Sequence, residues 1–163
     1  MSLREEILYN NTELDFVEGA KYDDALVGVV EKFGGEFEPL YDFDILKSLP
    51  IPHDKLNEFK GSCLFRMTLE EACQLDKELL VATGYDDQVL GLVSKYGEPS
   101  VIVYDTESVI EAKTIEIESE EGYEEDSSYP AVIHAMEDYS YNFIGGYLGP
   151  KTWKCATIYT KNE

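Results

Sequence analysis

The sequence predicts an α+β protein, a single domain over residues 1–163 made of two similar tandem α/β units related by a pseudo-twofold axis. The first reason is a repeat at a constant step, because Tyr22-Asp23-Asp24 recurs as Tyr85-Asp86-Asp87 and 85 − 22 = 63. The second is size, since 163 residues suit one domain with its own core. The third is composition, because a chain that is 44% hydrophobic with twelve Tyr differs from aromatic-poor disordered chains.

The repeat covers about residues 16–78 in its first copy and about residues 79–141 in its second. A closing strand is expected after the second copy, at about residues 152–160, where apolar and polar side chains partly alternate. The step of 63 residues holds without a gap at many positions. Identical pairs at this step are Gly28 and Gly91, Val30 and Val93, Lys32 and Lys95, Gly34 and Gly97, and Tyr41-Asp42 and Tyr104-Asp105.

Each copy is predicted to begin with an amphipathic helix. Asp23 and Asp86 are of a type that caps helices, because a carboxylate accepts hydrogen bonds from the first backbone N–H groups. In the first copy the apolar residues that follow fall at helical spacing, and Gly34 comes after them as a stop signal. These apolar residues are Leu26, Val27, Val30 and Phe33.

A strand and a second, short helix are predicted next in each copy. Residues 37–41 and 100–104 have the composition of strands, and the second segment is an apolar run typical of a buried strand. Asp42 and Asp105 follow directly, at the place where a helix would begin.

A further helix is predicted after that. Thr68-Leu-Glu-Glu71 has the spacing of a capping box and opens a helix towards Leu80. The step of 63 residues carries Ala72 to Ala135, inside a segment of about residues 129–143 with one apolar helical face. That face consists of Val132, Ala135, Met136, Tyr139 and Phe143. The predicted unit is therefore helix, strand, short helix, helix.

Charge restricts the classes of partner. Thirteen basic and thirty-four acidic side chains give 13 − 34 = −21, which repels nucleic-acid phosphates and anionic membranes and favours cationic partners or metal ions. We therefore expect no direct binding to nucleic acid or membrane.

Cys63, Cys73 and Cys155 form no CxxC pair, so neither a disulfide framework nor a zinc knuckle is indicated. Since no apolar run reaches about eighteen residues, we expect a cytoplasmic location.

Three short motifs follow one another in the second copy. They are the Tyr-Asp-Asp helix start at Tyr85, the strand end Val103-Tyr104-Asp105, and the ending Asn142-x-x-Gly145-x-x-x-Gly149, which the first copy lacks. With these motifs the second copy resembles, over roughly residues 84–153, small uncharacterised proteins of bacteriophage and prophage genomes. What the resemblance implies is an origin in a mobile element, and it transfers no catalytic residue.

Aspartates of the second copy are the candidates for a metal site. Asp86, Asp87 and Asp105 could converge with their first-copy counterparts near the pseudo-twofold axis, and carboxylate oxygens bind Mg²⁺ or Ca²⁺. The alternative is that each aspartate caps a helix and favours its positive N-terminal end. No nucleophile, phosphate-loop or dinucleotide motif is present, so we predict no catalytic residue and no cofactor.

A run of acidic residues in the second copy is the candidate interaction surface. It is predicted to form a mobile, negatively charged loop. Its members are Glu116, Glu118, Glu120, Glu121, Glu124, Glu125 and Asp126. Such a run is either a merely solvated segment or a mimic of nucleic-acid phosphates that occupies the basic DNA-binding surface of another protein.

These observations predict a non-enzymatic protein-binding or accessory module whose protein partner carries a basic surface. A DNA-mimicking inhibitor and a carboxylate-metal hydrolase are the alternatives that stay open. A third alternative is self-association into a homodimer through exposed tyrosines.

Overall fold

The computed structural model describes residues 3–10, 20–32, 36–52, 54, 59–146 and 148–159. Six strands form a closed barrel in which each strand pairs with the next along the chain and the last pairs with the first. The strands are β1 (Leu26–Lys32), β2 (Glu36–Asp42), β3 (Ser62–Arg66), β4 (Val89–Ser94), β5 (Val101–Asp105) and β6 (Lys154–Ile158).

Helices surround this barrel, so the α+β prediction is confirmed at the level of fold class. The α-helices are α1 (Leu3–Asn10), α2 (Phe43–Ser48), α3 (Leu69–Leu75), α4 (Thr106–Glu118) and α5 (Ala131–Asp138). A π-helical turn, Tyr139–Phe143, continues α5, and 3-10 segments at Ala20–Ala25 and Asp86–Gln88 precede β1 and β4. In the described part of the chain, no helix combines the length and the apolar character needed to cross a bilayer.

Strand pairing follows the same pattern in both halves of the barrel. β1 and β2 form an antiparallel pair, β2 and β3 a parallel one, and β4, β5 and β6 repeat this arrangement. The parallel pairs require a crossover, which helices supply. Tyr41 pairs with Cys63, and Tyr104 pairs with Cys155.

The predicted helices at the start of each copy are wrong, because both segments are strands. β1 occupies residues 26–32 and β4 residues 89–94, each after a 3-10 turn that holds the two aspartates of the Tyr-Asp-Asp sequence. Residues 33–35, which include the expected stop at Gly34, lie outside the described residues.

A β-bulge explains the misleading spacing. Leu26 pairs with Tyr41 and Gly28 pairs with Leu40, so β1 advances by two residues where β2 advances by one. The extra residue shifts the period of two that a strand otherwise keeps. As a result Val27 and Val30 face the barrel interior, three residues apart as in a helix. In β4 the bulge lies between Val89 and Gly91.

The hydrophobic core has three parts. Side chains from all six strands fill the barrel interior: Val27, Val30, Leu40, Leu64, Val93, Val101, Val103 and Ala156. Two outer clusters pack helices on the barrel, one with α1 and α2 and the other with α3, α4 and the π-helical turn. In each outer cluster a phenylalanine packs against the two recurring tyrosines of its half. Phe59 has its ring centroid 4.9 Å from Tyr22 and 5.1 Å from Tyr41, and Phe143 lies 5.1 Å from Tyr85 and 5.2 Å from Tyr104.

The remaining predicted strands are confirmed. The segments expected at residues 37–41 and 100–104 are β2 and β5, and the closing strand expected at about residues 152–160 is β6 at residues 154–158. The second-helix starts are also confirmed, because Asp42 caps α2 and Asp105 caps α4.

Of the two predicted third helices, the second is confirmed, because α5 and the π-helical turn cover residues 131–143 of the expected 129–143, whereas the first is shorter than expected. The capping box is present, with Thr68 and Glu71 bonded reciprocally, but α3 ends at Leu75 and not near Leu80. Ala72 and Ala135 are both buried helix residues. However, α3 follows the third strand of its half, whereas α5 precedes β6. The two alanines therefore do not occupy corresponding places, although the step of 63 residues relates them.

Candidate functional site

A cavity of about 580 Å³ opens between α4, α5 and the turns that follow α4. Its volume falls within the range of about 300–1,000 Å³ that is typical of ligand sites. We call it the acidic pocket, and it is lined by Tyr85, Lys113, Glu116, Ile117, Glu120, Tyr123, Glu124, His134 and Asp138. Four of these residues are carboxylic acids, so negative charge dominates the cavity.

Local sequence positions α4 along this cavity. The carboxylate of Asp105 accepts hydrogen bonds from the backbone N–H of Ser108, at 3.2 Å, and from its hydroxyl. This cap fixes the first turn of the helix. Val109 and Lys113, one turn apart, form the buried face of α4. Because a helix turns once in about 3.6 residues, the pocket residues 113, 116 and 117 lie along one face of α4, and Glu120 follows just after the helix ends.

Lys113 lies at the inner end of the acidic pocket. Only 8% of the residue is exposed, and its ammonium donates to the Tyr85 hydroxyl at 2.9 Å and to the Asp138 carboxylate at 2.5 Å. The Nζ atom also stands 4.9 Å from the ring centroid of Tyr85 and 5.4 Å from that of Phe143. A buried cation is tolerated because the carboxylate and the aromatic faces compensate its lost hydration.

The pair of Lys113 and Asp138 stays ionised around neutral pH. Burial lowers the pKa of Lys113, but the hydrogen bonds to Asp138 and Tyr85 together raise that pKa above its ordinary value. The Lys113 ammonium, helped by Asn142, holds the pKa of the Asp138 carboxyl below its ordinary value. Because these two charges neutralise each other, the negative charge of the pocket comes from Glu116, Glu120 and Glu124.

The acidic run supplies those three glutamates. All seven predicted residues, from Glu116 to Asp126, are exposed. The expectation of one loop is wrong for Glu116 and Glu118, which belong to the last turn of α4. At the far end, Asp126 has a structural role, since its side chain accepts hydrogen bonds from the N–H of Ser128, at 2.9 Å, and from the Ser128 hydroxyl, at 2.6 Å.

The aspartates proposed as metal ligands do not gather into a site. Asp86 and Asp87 are exposed in the 3-10 turn before β4, whereas Asp105 caps α4. Among the described residues, no three His, Cys, Asp or Glu side chains come together in a way that could hold a metal ion. The capping interpretation is confirmed for Asp105 and wrong for Asp23, which binds Arg4 through a 2.6 Å ion pair.

The recurring tyrosines pack in the outer clusters of the core. Tyr41 and Tyr104 are fully buried, and Tyr22 is 9% exposed. The Tyr104 hydroxyl accepts a hydrogen bond from the backbone N–H of Ala82 at 2.8 Å. Burial raises the pKa of Tyr104 to about 12, so its hydroxyl keeps its proton. Tyr22, Tyr41 and Tyr104 are therefore not available for a homodimer contact, whereas Tyr96 and Tyr141 are exposed, and the homodimer stays a prediction.

A buried polar cluster joins β1, α4, the π-helical turn and β6. The Tyr139 hydroxyl donates to the Glu31 carboxylate at 2.9 Å and lies 3.2 Å from the Thr106 hydroxyl. Cys155 is fully buried beside Tyr139, and burial raises the pKa of its thiol to about 12. Burial also raises the pKa of Glu31, and the hydrogen bond from Tyr139 offsets this only in part. The Glu31 carboxyl group therefore lies in an environment that disfavours its ionised form.

Replacing that carboxylate is expected to stabilise the protein at neutral pH. A folded-state pKa above the ordinary value of 4.5 means that Glu31 lowers the free energy of unfolding as pH rises from 4.5 through the raised pKa, and the loss then stays constant at higher pH. Glu31→Gln removes the charge and keeps an oxygen that accepts from Tyr139. Its melting temperature should exceed that of the wild type at pH 7, and the difference should shrink towards pH 4. Glu78→Gln removes the same charge at an exposed residue and is the control for the overall repulsion between charges. A melting-temperature difference between Glu31→Gln and the wild type that does not depend on pH would contradict the prediction.

The sequence interpretation missed the side chains that complete the acidic pocket. Lys113, Tyr123, His134 and Asp138 line it together with the acidic run. A signal for Lys113 was present, because it is the single Lys or Arg between Lys95 and Lys151. One cation in so acidic a stretch, placed between apolar residues at helical spacing, indicates a buried and paired charge.

Comparisons with protein-family models, with curated proteins and with solved structures gave no match.

Proposed function

We propose that the protein is a non-enzymatic binding module that holds a basic segment of another protein in the acidic pocket. One observation carries this proposal: Lys113 is already neutralised by Asp138, while Glu116, Glu120 and Glu124 surround the same cavity. Within the described residues these three glutamates form no ion pair. A lysine or arginine side chain that entered the cavity would meet carboxylates whose charge is otherwise balanced only by solvent.

The surrounding charge supports a cationic protein segment as the ligand. The net charge of −21 attracts basic partners from a distance and accelerates their encounter. Tyr123 lines the same cavity, and an arginine guanidinium stacks well on a tyrosine ring.

Neutralising the three glutamates is expected to weaken binding strongly. The variant Glu116→Gln/Glu120→Gln/Glu124→Gln changes the net charge to −21 + 3 = −18. Binding of a short arginine-rich peptide, measured by fluorescence anisotropy, should weaken about tenfold or more, because close charge pairs in a cavity are worth over 1 kcal/mol. The affinity of the wild type should also fall as salt concentration rises.

A matched control separates the pocket from the overall field. Glu70→Gln/Glu78→Gln/Asp87→Asn also brings the net charge to −18, and its three residues are likewise exposed, but they do not line the pocket. We expect this variant to weaken binding less than about threefold, since charges outside the pocket act on the bound peptide only through screened, longer-range attraction. Equal weakening by both triple variants would mean that peptide affinity depends only on the total charge of the protein, and the proposal would be wrong.

A DNA-mimicking inhibitor is the second candidate function. It is supported by the seven exposed carboxylates that run from the end of α4 through the following turns. In that case duplex DNA should compete with this protein for the partner's basic surface. A partner that binds this protein and duplex DNA at the same time would exclude phosphate mimicry and leave the binding module.

We also infer that the two halves of the barrel arose by duplication. The step of 63 residues carries Leu26, Gly28 and Leu40 to Val89, Gly91 and Val103, and both bulges lie at corresponding glycines. The third strands correspond at a different step. Cys63 pairs with Tyr41 in the first half and Cys155 pairs with Tyr104 in the second, so Cys63 corresponds to Cys155. On this proposal the second unit extends through β6, beyond the expected boundary at residue 141. The resemblance to phage and prophage proteins supports a mobile element as the source of the protein, and the free cysteines Cys63, Cys73 and Cys155 favour the reducing cytoplasm as its location.

A further inference from the structure

A second cavity, of about 420 Å³, lies on another face of α4. We call it the apolar groove, and it is lined by Glu107, Ile110, Glu111, Thr114, Ile115, Glu118 and Val132. It shares no residue with the acidic pocket. With about 3.6 residues in each helical turn, the two sets of α4 residues lie on separate faces of that helix.

Aliphatic side chains are exposed along this groove. Ile115 is 58% exposed and Val132 is 43% exposed, and Met136, one turn further along α5, is 46% exposed. The sequence pattern places Val132 and Met136 on the apolar face of this helix, yet both are exposed, whereas the other members of that face are buried. Neighbouring exposed apolar side chains at one place on a surface indicate an interaction site.

Charge complementarity selects the occupant. Glu107, Glu111 and Glu118 line the same groove and are exposed. A second copy of this chain would bring its own carboxylates and a net charge of −21 against them, which is strongly repulsive. A segment with aliphatic side chains on one face and lysine or arginine on the flanks satisfies both the groove and its rim.

We propose that the apolar groove binds a basic amphipathic helix of a partner protein. Aliphatic side chains of that helix contact Ile115 and Val132, and its cationic side chains pair with the glutamates of the rim. The inference rests on the proposed function, since the partner is again a basic protein. It adds apolar contact, which salt does not screen and which the acidic pocket does not supply.

Two synthetic helical peptides of equal length and equal positive charge test this. One carries leucine on its uncharged face and the other carries glutamine. Binding to the wild type and to Ile115→Ser/Val132→Ser is measured by fluorescence anisotropy. Because both substituted side chains are exposed, the variant should keep its fold, and Leu75→Ser, at a residue 71% exposed, is the matched control.

The leucine peptide should bind the wild type about tenfold more tightly than the glutamine peptide, since it buries aliphatic surface. That preference should vanish in Ile115→Ser/Val132→Ser and persist in Leu75→Ser. Equal affinity of both peptides for the wild type, or a preference that survives the double substitution, would overturn the inference. A wild-type homodimer in light scattering that the double substitution converts to monomer would also overturn it, in favour of a second copy.

The acidic pocket variant separates this inference from the proposed function. Glu116→Gln/Glu120→Gln/Glu124→Gln should weaken both peptides and leave the ratio of their affinities unchanged, which supports a separate groove. If neither peptide binds the wild type at low salt, both proposals fail. If the glutamine peptide binds as tightly as the leucine peptide and loses affinity in the acidic pocket variant, only the groove is refuted.

Discussion

Gly91→Ala should abolish folding or remove about 3 kcal/mol or more of stability, because the new methyl group has no room and the backbone would be strained. A Cβ atom at Gly91 would lie 2.0 Å from the backbone oxygen of Phe65 and 2.9 Å from the backbone nitrogen of Met67. Both atoms belong to the main chain, so no side-chain rotation relieves the clash. The φ angle of +149° is also one that residues with a side chain rarely adopt.

Gly28→Ala should be comparably damaging for the same steric reason. Its Cβ atom would lie 2.1 Å from the backbone oxygen of Thr157 on β6. Each glycine therefore allows the third strand of the other half to approach, and so allows the barrel to close. A typical domain is stable by only about 5–15 kcal/mol, so either substitution removes a large fraction of the total.

Gly97→Ala is the control for both substitutions. Gly97 also has a positive φ, +84°, but a Cβ there would meet nothing within 4 Å. Its expected cost is therefore the strain alone, about 1 kcal/mol. Urea denaturation followed by circular dichroism measures all three variants. If Gly91→Ala unfolds at the same urea concentration as Gly97→Ala, the close strand contact does not exist.

Leu64→Ala is the second substitution with a large expected effect, a loss of about 3–4 kcal/mol. Leu64 is fully buried on β3 and belongs to the cluster that fills the barrel interior. Its counterpart in the other half is small, since Ala156 pairs with Asp105 as Leu64 pairs with Asp42. Leu64 therefore fills space that Ala156 leaves, and its truncation creates a cavity that rigid strands cannot close.

Leu75→Ala provides the comparison, because Leu75 on α3 is 71% exposed. Its free energy of unfolding should change by less than about 0.5 kcal/mol. The midpoint of urea denaturation should fall for Leu64→Ala, with little change in the slope. Similar midpoints for the two variants would contradict the assignment of Leu64 to the barrel interior.

Local signals in the sequence predicted those parts of the fold that local physics determines. The apolar run before Asp105 predicted β5, and Asp42, Asp105 and Thr68 predicted helix starts, because capping involves groups only a few residues apart. The helix predicted at the start of each copy failed for an equally local reason. A bulge changes the spacing of inward side chains from two to three, and Val27 and Val30 then match a helical pattern.

The candidate site was less accessible from sequence because it depends on tertiary contacts. The acidic run indicated Glu116, Glu120 and Glu124, but not that they share a cavity with His134 and Asp138. That cavity exists because α5 packs against α4, and helix pairing is set by the whole core. Exposure of Val132 on a face that the pattern assigns to the core was equally beyond a single sequence.

Closure of the barrel has a consequence for how the chain folds while it is being made. β1 pairs with β6, so the outer edge of β1 has no hydrogen-bonding partner strand until residues 154–158 have been made. A nascent chain that has emerged only as far as β5 therefore presents two open sheet edges, which can pair with other chains. Contacts so distant in sequence also form slowly. On the ribosome, the period before β6 emerges is the time at which this protein is most exposed to aggregation.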